Sequence, residues 1–426
     1  MSDSALTTVL IAMLGGAVLS VPAMLHGEYL SLPFFAGLGL VAVEWVLRRR
    51  VTFAGLLAMA FVWSPMMLIG LLNFAGGQAL ALWAFALWVA MRDCRWRASV
   101  FVPIGVVVWL FHLSAWAILG VLVFGYEWEM RRDWRAFLAP WPLLGPVWIM
   151  AMLPGTSGAF SYGGNWWLYK QAIWLKAMRD TAYALDYLGL VAVMLAIGGA
   201  LFFRRIDGRL GWAGLILLAL TIAVPRHISG GDYADYRLVT AGLMICCLAI
   251  DWGDAPRWAV GLAPALYLAR LVVTTLSWQA DSAQTGEVLA ALDHVPRGAR
   301  IASAVYVPRE AWRLDHFEHI GAYAVFRRDA LTNANFAVAN VHMLHLKPEI
   351  PGFVDPSQRI IEAASQPLDL AGFAPAEHAD WLWYVGDRQP DTLPAGAMVW
   401  RSDHGLLLRL SHAGDAGALA KSGGAH

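Results

Sequence analysis

Clusters of arginine interrupt a sequence that is otherwise built from Leu, Val, Ala, Trp and Phe. They are Arg48-Arg49-Arg50, Arg92 with Arg95 and Arg97, Arg131-Arg132 with Arg135, and Arg204-Arg205 with Arg209. An apolar run of about 20 residues spans the ~30 Å hydrocarbon core as a helix, and Lys and Arg clustered in short loops stay on the cytoplasmic side. The pattern therefore constrains the chain to a polytopic membrane protein, and the clusters give its topology. Hydrophobic residues make up 59% of the chain and charged residues 15%, with a mean hydropathy of +0.54. A soluble domain has no use for so much apolar surface. A formal net charge of zero argues against a nucleic-acid partner.

The positive-inside rule then orders the apolar runs. The first, residues 5–24, follows an acidic and polar start without a clear small-residue cleavage site, so a retained span is expected rather than a cleaved signal. With Arg48 to Arg50 inside, the run 29–47 enters from outside, the turn His26-Gly27-Glu28 faces outward, and the amino terminus is cytoplasmic. Residues 51–91 hold two helices joined at an external tip near 71–77, and 100–126 form a tight hairpin or re-entrant pair with His112 to Trp116 at its outer tip. A span over 136–153 leads to Pro154-Gly155 and then to Trp167, Lys170, Trp174 and Met178, whose helical spacing is that of an amphipathic helix in the outer interface. Spans at 188–203, 212–224, 238–250 and 258–278 complete an α-helical polytopic domain, residues 1–278, of about ten crossings.

From residue 279 charged residues and prolines appear regularly. The β-like segments 300–307, 381–385 and 406–410 alternate with helical or turn-rich pieces, so residues 279–413 are expected to be an extracytoplasmic α/β domain and 414–426 a disordered Gly/Ala/Ser tail.

This topology gathers His26, Glu28, Asn73, His112, Arg226, His227, Asp232, Asp235 and Arg237 on the outer face. A carboxylate there, Glu28 or one of Asp232 and Asp235, suits a general base toward a hydroxyl acceptor. His26, Asn73, His112, Lys170, Arg226, His227 and Arg237 suit the binding of a lipid-linked phosphate, and Trp167 beside Trp166 suits stacking on a sugar. Each has a structural reading beside it. Asp235 can pair with Arg237, His112 can be a packed core histidine, and Arg226 can snorkel to lipid phosphate. Glu44 lies one turn from Arg48 and suits an i,i+4 pair. His316/His319 and His342/His345 are each three apart but have no cysteine with them, so no metal site is expected. Cys94, Cys246 and Cys247 give no disulfide framework. No cofactor is expected, and whether a divalent metal takes part is left open by the sequence.

Four segments carry a resemblance: Gly70-Leu71-Leu72-Asn73-Phe74 opening an Ala/Leu/Trp-rich span, Phe111-His112-Leu113, Gly231-Asp232-Tyr233-Ala234-Asp235-Tyr236-Arg237 before a late span, and an outer domain entered through Pro296-Arg297-Gly298. Together they resemble bacterial multispan proteins related to the GT-C superfamily of polyprenyl-phosphate-sugar-dependent glycosyltransferases. The resemblance implies an inverting transferase in a bacterial inner membrane. It would pass a lipid-linked sugar to an envelope glycan, lipid or protein, with membrane lipids and the lipid-linked sugar as partners and a periplasmic carboxyl-terminal domain. Members of that group carry a long first external loop with the catalytic acid, whereas here the corresponding turn is His26 to Glu28. Glu28 substitutes for that acid, or an amino-terminal piece is absent, or the architecture is kept without the chemistry. The last case is a non-catalytic scaffold or subunit whose periplasmic domain binds a partner protein. A transporter or flippase ranks third, because broken paired spans, internal repeats and mid-span charges are its signature.

Reporter fusions test the topology. Fusions after Arg50, Arg97, Arg132 and Arg205 are expected to report the cytoplasmic side, and fusions after Asp232 and Leu410 the opposite side. A mixture of sides within either set overturns the scheme.

Overall fold

The computed structural model describes residues 31–152, 160–228, 231–253, 257–308, 312–335, 350–353, 357–362 and 365–411. The expected first span and the tail fall outside these residues. The chain divides into two units, Met1–Thr274 and Thr275–His426.

The first unit is helical. Its elements are α1 (Ser31–Arg48), α2 (Phe53–Met59), α3 (Pro65–Leu68), α4 (Leu72–Ala90), α5 (Arg97–Phe111), α6 (Leu113–Arg131), α7 (Gly145–Met152), α8 (Trp166–Leu175), α9 (Tyr183–Phe202), α10 (Gly208–Ala223) and α11 (Ala234–Ala249), and α12 (Arg257–Leu289) leaves it. Among the described residues, four helices are long and apolar enough to cross a membrane: Ser31–Arg48, Leu72–Ala90, Tyr183–Phe202 and Gly261–His294. Arg97–Phe111 and Gly208–Ala223 are shorter apolar helices. This is fewer than the sequence scheme expects, and two departures have local causes. Residues 136–153 do not form one span, because Pro140, Pro142 and Pro146 each remove a backbone donor and the chain makes two 3-10 turns before α7. Between Arg50 and Leu72, Pro65 and a left-handed Gly70 (φ 87°) leave only the short α2 and α3, so the join precedes α4 and Asn73 opens that helix.

Close helix approach organises the unit. A Cβ on Gly214 would lie 2.5 Å from Cys246 Sγ, one on Gly242 2.6 Å from Leu218 Cδ2, and one on Gly125 2.7 Å from the Ala213 amide nitrogen. Small residues at these crossings let α6, α10 and α11 pack backbone to backbone. Every residue of α11 is buried, so this helix is the centre of the unit. Two buried carboxylates meet cations: Asp186 with Arg270 at 2.8 Å, and Glu127 with Arg131 at 2.8 Å and Arg97 at 3.1 Å.

The second unit is a mixed sheet of β3 (Arg300–Pro308), β4 (Leu331–Thr332), β5 (Arg359–Glu362), β6 (Trp381–Val385), β7 (Gly396–Ser402) and β8 (Gly405–Leu410), numbered after the small hairpin β1 (Phe160–Ser161) and β2 (His227–Ile228) of the first unit. Strand β3 runs parallel to β4, β5 and β6, and β6, β8 and β7 are antiparallel in the order β4-β3-β6-β8-β7. Alternate residues of β3 feed two apolar cores, Ile301 and Val305 on one side and Ala302 and Ala304 on the other, as a strand covered on both faces requires. His316 packs its ring against Phe317 at 3.9 Å. Burial, with Arg313 adding to it, pushes its imidazole down to about 4, which keeps it neutral near pH 7. Among the described residues no three His, Cys, Asp or Glu side chains converge as metal ligands. His342 and His345 lie outside the described residues.

Gly242→Leu places a side chain into Leu218 and is expected to lower unfolding stability in detergent by about 1–3 kcal/mol. Gly120→Leu, on α6 where a Cβ meets nothing within 4 Å, is expected to leave the unfolding midpoint in place. Equal midpoints for the two variants would count against glycine-mediated packing.

Candidate functional site

The sequence places a group of polar residues around the link between α10 and α11, and the fold builds them into one cluster. The link is pinned on three sides. Strand β2 pairs with β1, Ile228 and Gly231 exchange backbone hydrogen bonds of 3.0 and 2.9 Å, and the Ala234 amide donates to the Arg226 carbonyl at 3.0 Å. Tyr233, at φ 61°, turns the chain into α11.

Lys170, on α8, is 3% exposed and reaches into the gap between the two helices. Its Nζ donates to the carbonyls of Thr221 at 2.7 Å and Val224 at 2.6 Å and to the carboxylate of Asp235. Carbonyls at a helix carboxyl terminus have no intrahelical partner and carry partial negative charge, so a cation there is doubly favoured. Asp235 is wholly buried in the first turn of α11, where a carboxylate is likewise favoured. It also accepts from the Tyr236 amide at 2.9 Å and the Tyr169 hydroxyl at 3.3 Å. Asp235 therefore pairs with Lys170, which corrects the sequence expectation of an Asp235–Arg237 pair. Lys170 fits the helical spacing of an interface helix, but its side chain is turned inward.

A second ion pair lies nearer the surface. Arg226 holds Asp232 through two hydrogen bonds of 2.8 Å, one from Nε and one from an Nη. His227 Nδ1 lies 3.3 Å from the same carboxylate, and the Tyr233 amide donates to it at 2.7 Å. Burial pushes the Asp232 carboxyl upward, but Arg226, the Tyr233 amide and His227 outweigh it and hold the group below the usual carboxylate range. Arg226 is held above its ordinary value by its bonds to Asp232, against its own partial burial. The Arg226 guanidinium also lies over the rings of Tyr169 at 4.6 Å and Tyr233 at 5.4 Å, where the ring quadrupoles attract it.

One turn along α11, Arg237 is 8% exposed and lies over the Phe74 ring at 5.6 Å. Its Nε has no hydrogen-bond partner within the protein. Phe74 meets His112 edge-on at 5.4 Å, and His112 Nδ1 accepts from the Ser114 amide at 3.0 Å, capping α6. Asn73 is exposed at the start of α4 and accepts from the Phe74 amide at 3.0 Å. Trp167 is exposed on α8 beside Trp166, whose ring lies 6.0 Å from that of Tyr162. His26 and Glu28 lie outside the described residues. Tyr169, Tyr233 and Phe74 join the cluster through their ring faces, a role with no spacing signature in sequence. Their only mark is adjacency to Lys170, Asp232 and Asn73.

The described fold is mostly helical, with apolar helices able to cross a membrane, a carboxyl-terminal mixed sheet and a charged aromatic cluster at one end of the helical unit. Comparison with known protein families, with characterised proteins and with solved structures finds no match.

Lys170→Met leaves a buried carboxylate without its cation and is expected to cost about 3–5 kcal/mol of unfolding free energy. The double substitution Lys170→Met with Asp235→Leu, which removes both charges, is expected to regain most of it. A double variant no more stable than the single one rules out a charge-pairing role. For Asp232 the folded carboxyl titrates below its unfolded value. Its contribution is present above about pH 4, the unfolded range, and is lost as pH falls through the lower folded value. Hydrogen-exchange protection of residues 231–236, taken relative to the intrinsic rate at each pH, is expected to hold through about pH 4 and to fall only below it. Protection lost at or above that pH contradicts the ion pair.

Proposed function

We propose that the cluster at the α10–α11 link binds the phosphate of a lipid-linked sugar at the outer face of a bacterial inner membrane and transfers the sugar to a hydroxyl acceptor in envelope glycan assembly. The observation that carries this reading is the presence, at one helix terminus, of both a surface-reachable carboxylate and a buried arginine whose Nε is unpartnered. Asp232 is 35% exposed at its side chain, and Arg237 is 8% exposed as a residue.

In this mechanism Asp232 accepts the proton of the acceptor hydroxyl, and the acceptor oxygen attacks the anomeric carbon. The bond to the phosphate oxygen breaks, and the lipid phosphate leaves with the electron pair. Arg237 and Arg226 meet its charge by charge-assisted hydrogen bonds. A phosphate arriving at Arg226 competes with Asp232 for the same guanidinium, so donor binding frees the base when the acceptor needs it. Lys170 and Asp235 hold the helix termini in place and touch no reacting atom. Exposed Trp167 and Trp166 offer flat apolar faces to a sugar ring. Glu28, which the sequence reading puts on the outer face, is the other carboxylate able to serve as base.

A second reading, a non-catalytic scaffold of an envelope complex, is favoured by one observation: Asp232 and Asp235 are both already ion-paired. Turnover of a panel of polyprenyl-phosphate sugars by the purified protein separates the two. Asp232→Asn is expected to lower kcat by about 10²–10⁴-fold in protein whose helical circular dichroism is retained, and Arg237→Gln to raise KM for the donor. Wild-type protein that neither binds nor turns over any donor supports the scaffold.

A further inference from the structure

At the opposite end of α10 and α11, about 24 Å away at about 1.5 Å per helical residue, the first unit carries a basin of about 770 Å³. Arg48, Arg50, Arg204, Arg205 and Arg209 line it together with Asp207 and Asp251. These residues come from three separate stretches of chain. A sidedness signal requires only that arginines lie on one side of the membrane. It does not require them to converge on a cavity.

The floor of the basin is rigid. Arg48 donates to Glu44 at 3.1 Å and to the Ala249 carbonyl at 3.1 Å, and its Nε lies 3.6 Å from Asp207. Arg209 grips Asp207 with bonds of 3.0 and 2.8 Å and donates to the Leu47 carbonyl at 2.8 Å. The turn carrying Arg204, at φ 55°, is strapped by backbone bonds from Asp207 to Ala249 and from Asp251 to Arg205, both 2.9 Å. The rim is looser: Arg50 and Asp251 stand 3.5 Å apart, and both are more than half exposed. Glu129, near Gly208, is held by Arg132 and Trp212. Among the described residues, five arginines and two aspartates thus line a preformed concavity, with Glu44 beneath Arg48.

The surface beside the arginines is apolar. Phe203 lines the basin and is 68% exposed, and Phe202 is 82% exposed at the end of α9. A soluble anion has no use for such rings, whereas a lipid places its phosphate among the arginines and its acyl chains along that face.

We propose that this basin binds the phosphate-bearing headgroup of an anionic lipid, with the acyl chains against Phe202 and Phe203. The site is independent of the transferase reading and lies at the other end of the helices.

The test is native mass spectrometry of the full-length protein in detergent with a mixture of diphosphatidylglycerol and phosphatidylcholine, and in parallel with inorganic pyrophosphate. Wild-type protein is expected to retain diphosphatidylglycerol selectively. Arg204→Gln with Arg205→Gln is expected to weaken retention about thirtyfold, two cations each worth roughly a fivefold change. Phe202→Ser with Phe203→Ser is expected to weaken lipid retention too, and Arg401→Gln on β7 of the second unit to leave it unchanged. Circular dichroism and the unfolding midpoint establish that each variant is folded, and Arg50→Gln on the loose rim gives a second charge removal. Unchanged retention in the folded arginine variants overturns the proposal. So does pyrophosphate binding that displaces the lipid and ignores the phenylalanine changes, which makes the basin a soluble-anion site.

Discussion

A charge placed inside an apolar helical unit has no water to meet it, so its counter-charge must come from the protein. The contact of Lys170 with Asp235 is the clearest instance, and the geometry at that end of the unit depends on it. It joins α8 to the end of α10 and the start of α11, which lie 51 to 65 residues further along the chain. The same ammonium group satisfies two carbonyls that a helix terminus leaves open. With the pair in place, the link between α10 and α11 follows one path, and Arg226, Asp232 and Tyr233 are presented on it.

Two ends of the same helices therefore carry different chemistry. At one end, a buried pair supports a more exposed pair, and aromatic rings hold the arginines where carboxylates do not. At the other, Asp207 and the Ala249 and Leu47 carbonyls fix two arginines as a floor, and further arginines stand around them. Between the ends, α10 and α11 approach closely because Gly214 and Gly242 carry no side chain. That contact sets the separation of the two clusters as a fixed length of packed helix. The second unit has a different economy: its charged residues are mostly at the surface, and its stability rests on the two apolar cores fed by β3.

Much of the local structure was legible. The strands at 300–307, 381–385 and 406–410 stand within a residue of β3, β6 and β8, because a short apolar run bounded by turn residues has few alternatives. His112 falls between α5 and α6, and Glu44 meets Arg48 one turn away. Where the reading failed, the cause was local backbone chemistry outweighing hydropathy. Residues 136–153 are apolar enough to span, but three prolines divide them. Of the candidate site, the sequence named Lys170, Arg226, Asp232 and Asp235, which the fold brings together, but not how they pair. Asp235 has an arginine two residues away and takes a lysine 65 residues away, because helical geometry turns residues i and i+2 to different sides.

By itself, the sequence determined that the first part of the chain is apolar and helical and that a sheet-bearing part follows it. Hydropathy and arginine spacing are additive properties of short windows, and they need no knowledge of what packs where. Only the tertiary structure decided which charges meet, that Arg237 keeps an unpartnered Nε, and that arginines from two stretches enclose a basin. Those outcomes depend on distances between segments far apart in the chain, and such distances are set by helix packing at residues like Gly214 and Gly242, whose contribution is the absence of a side chain.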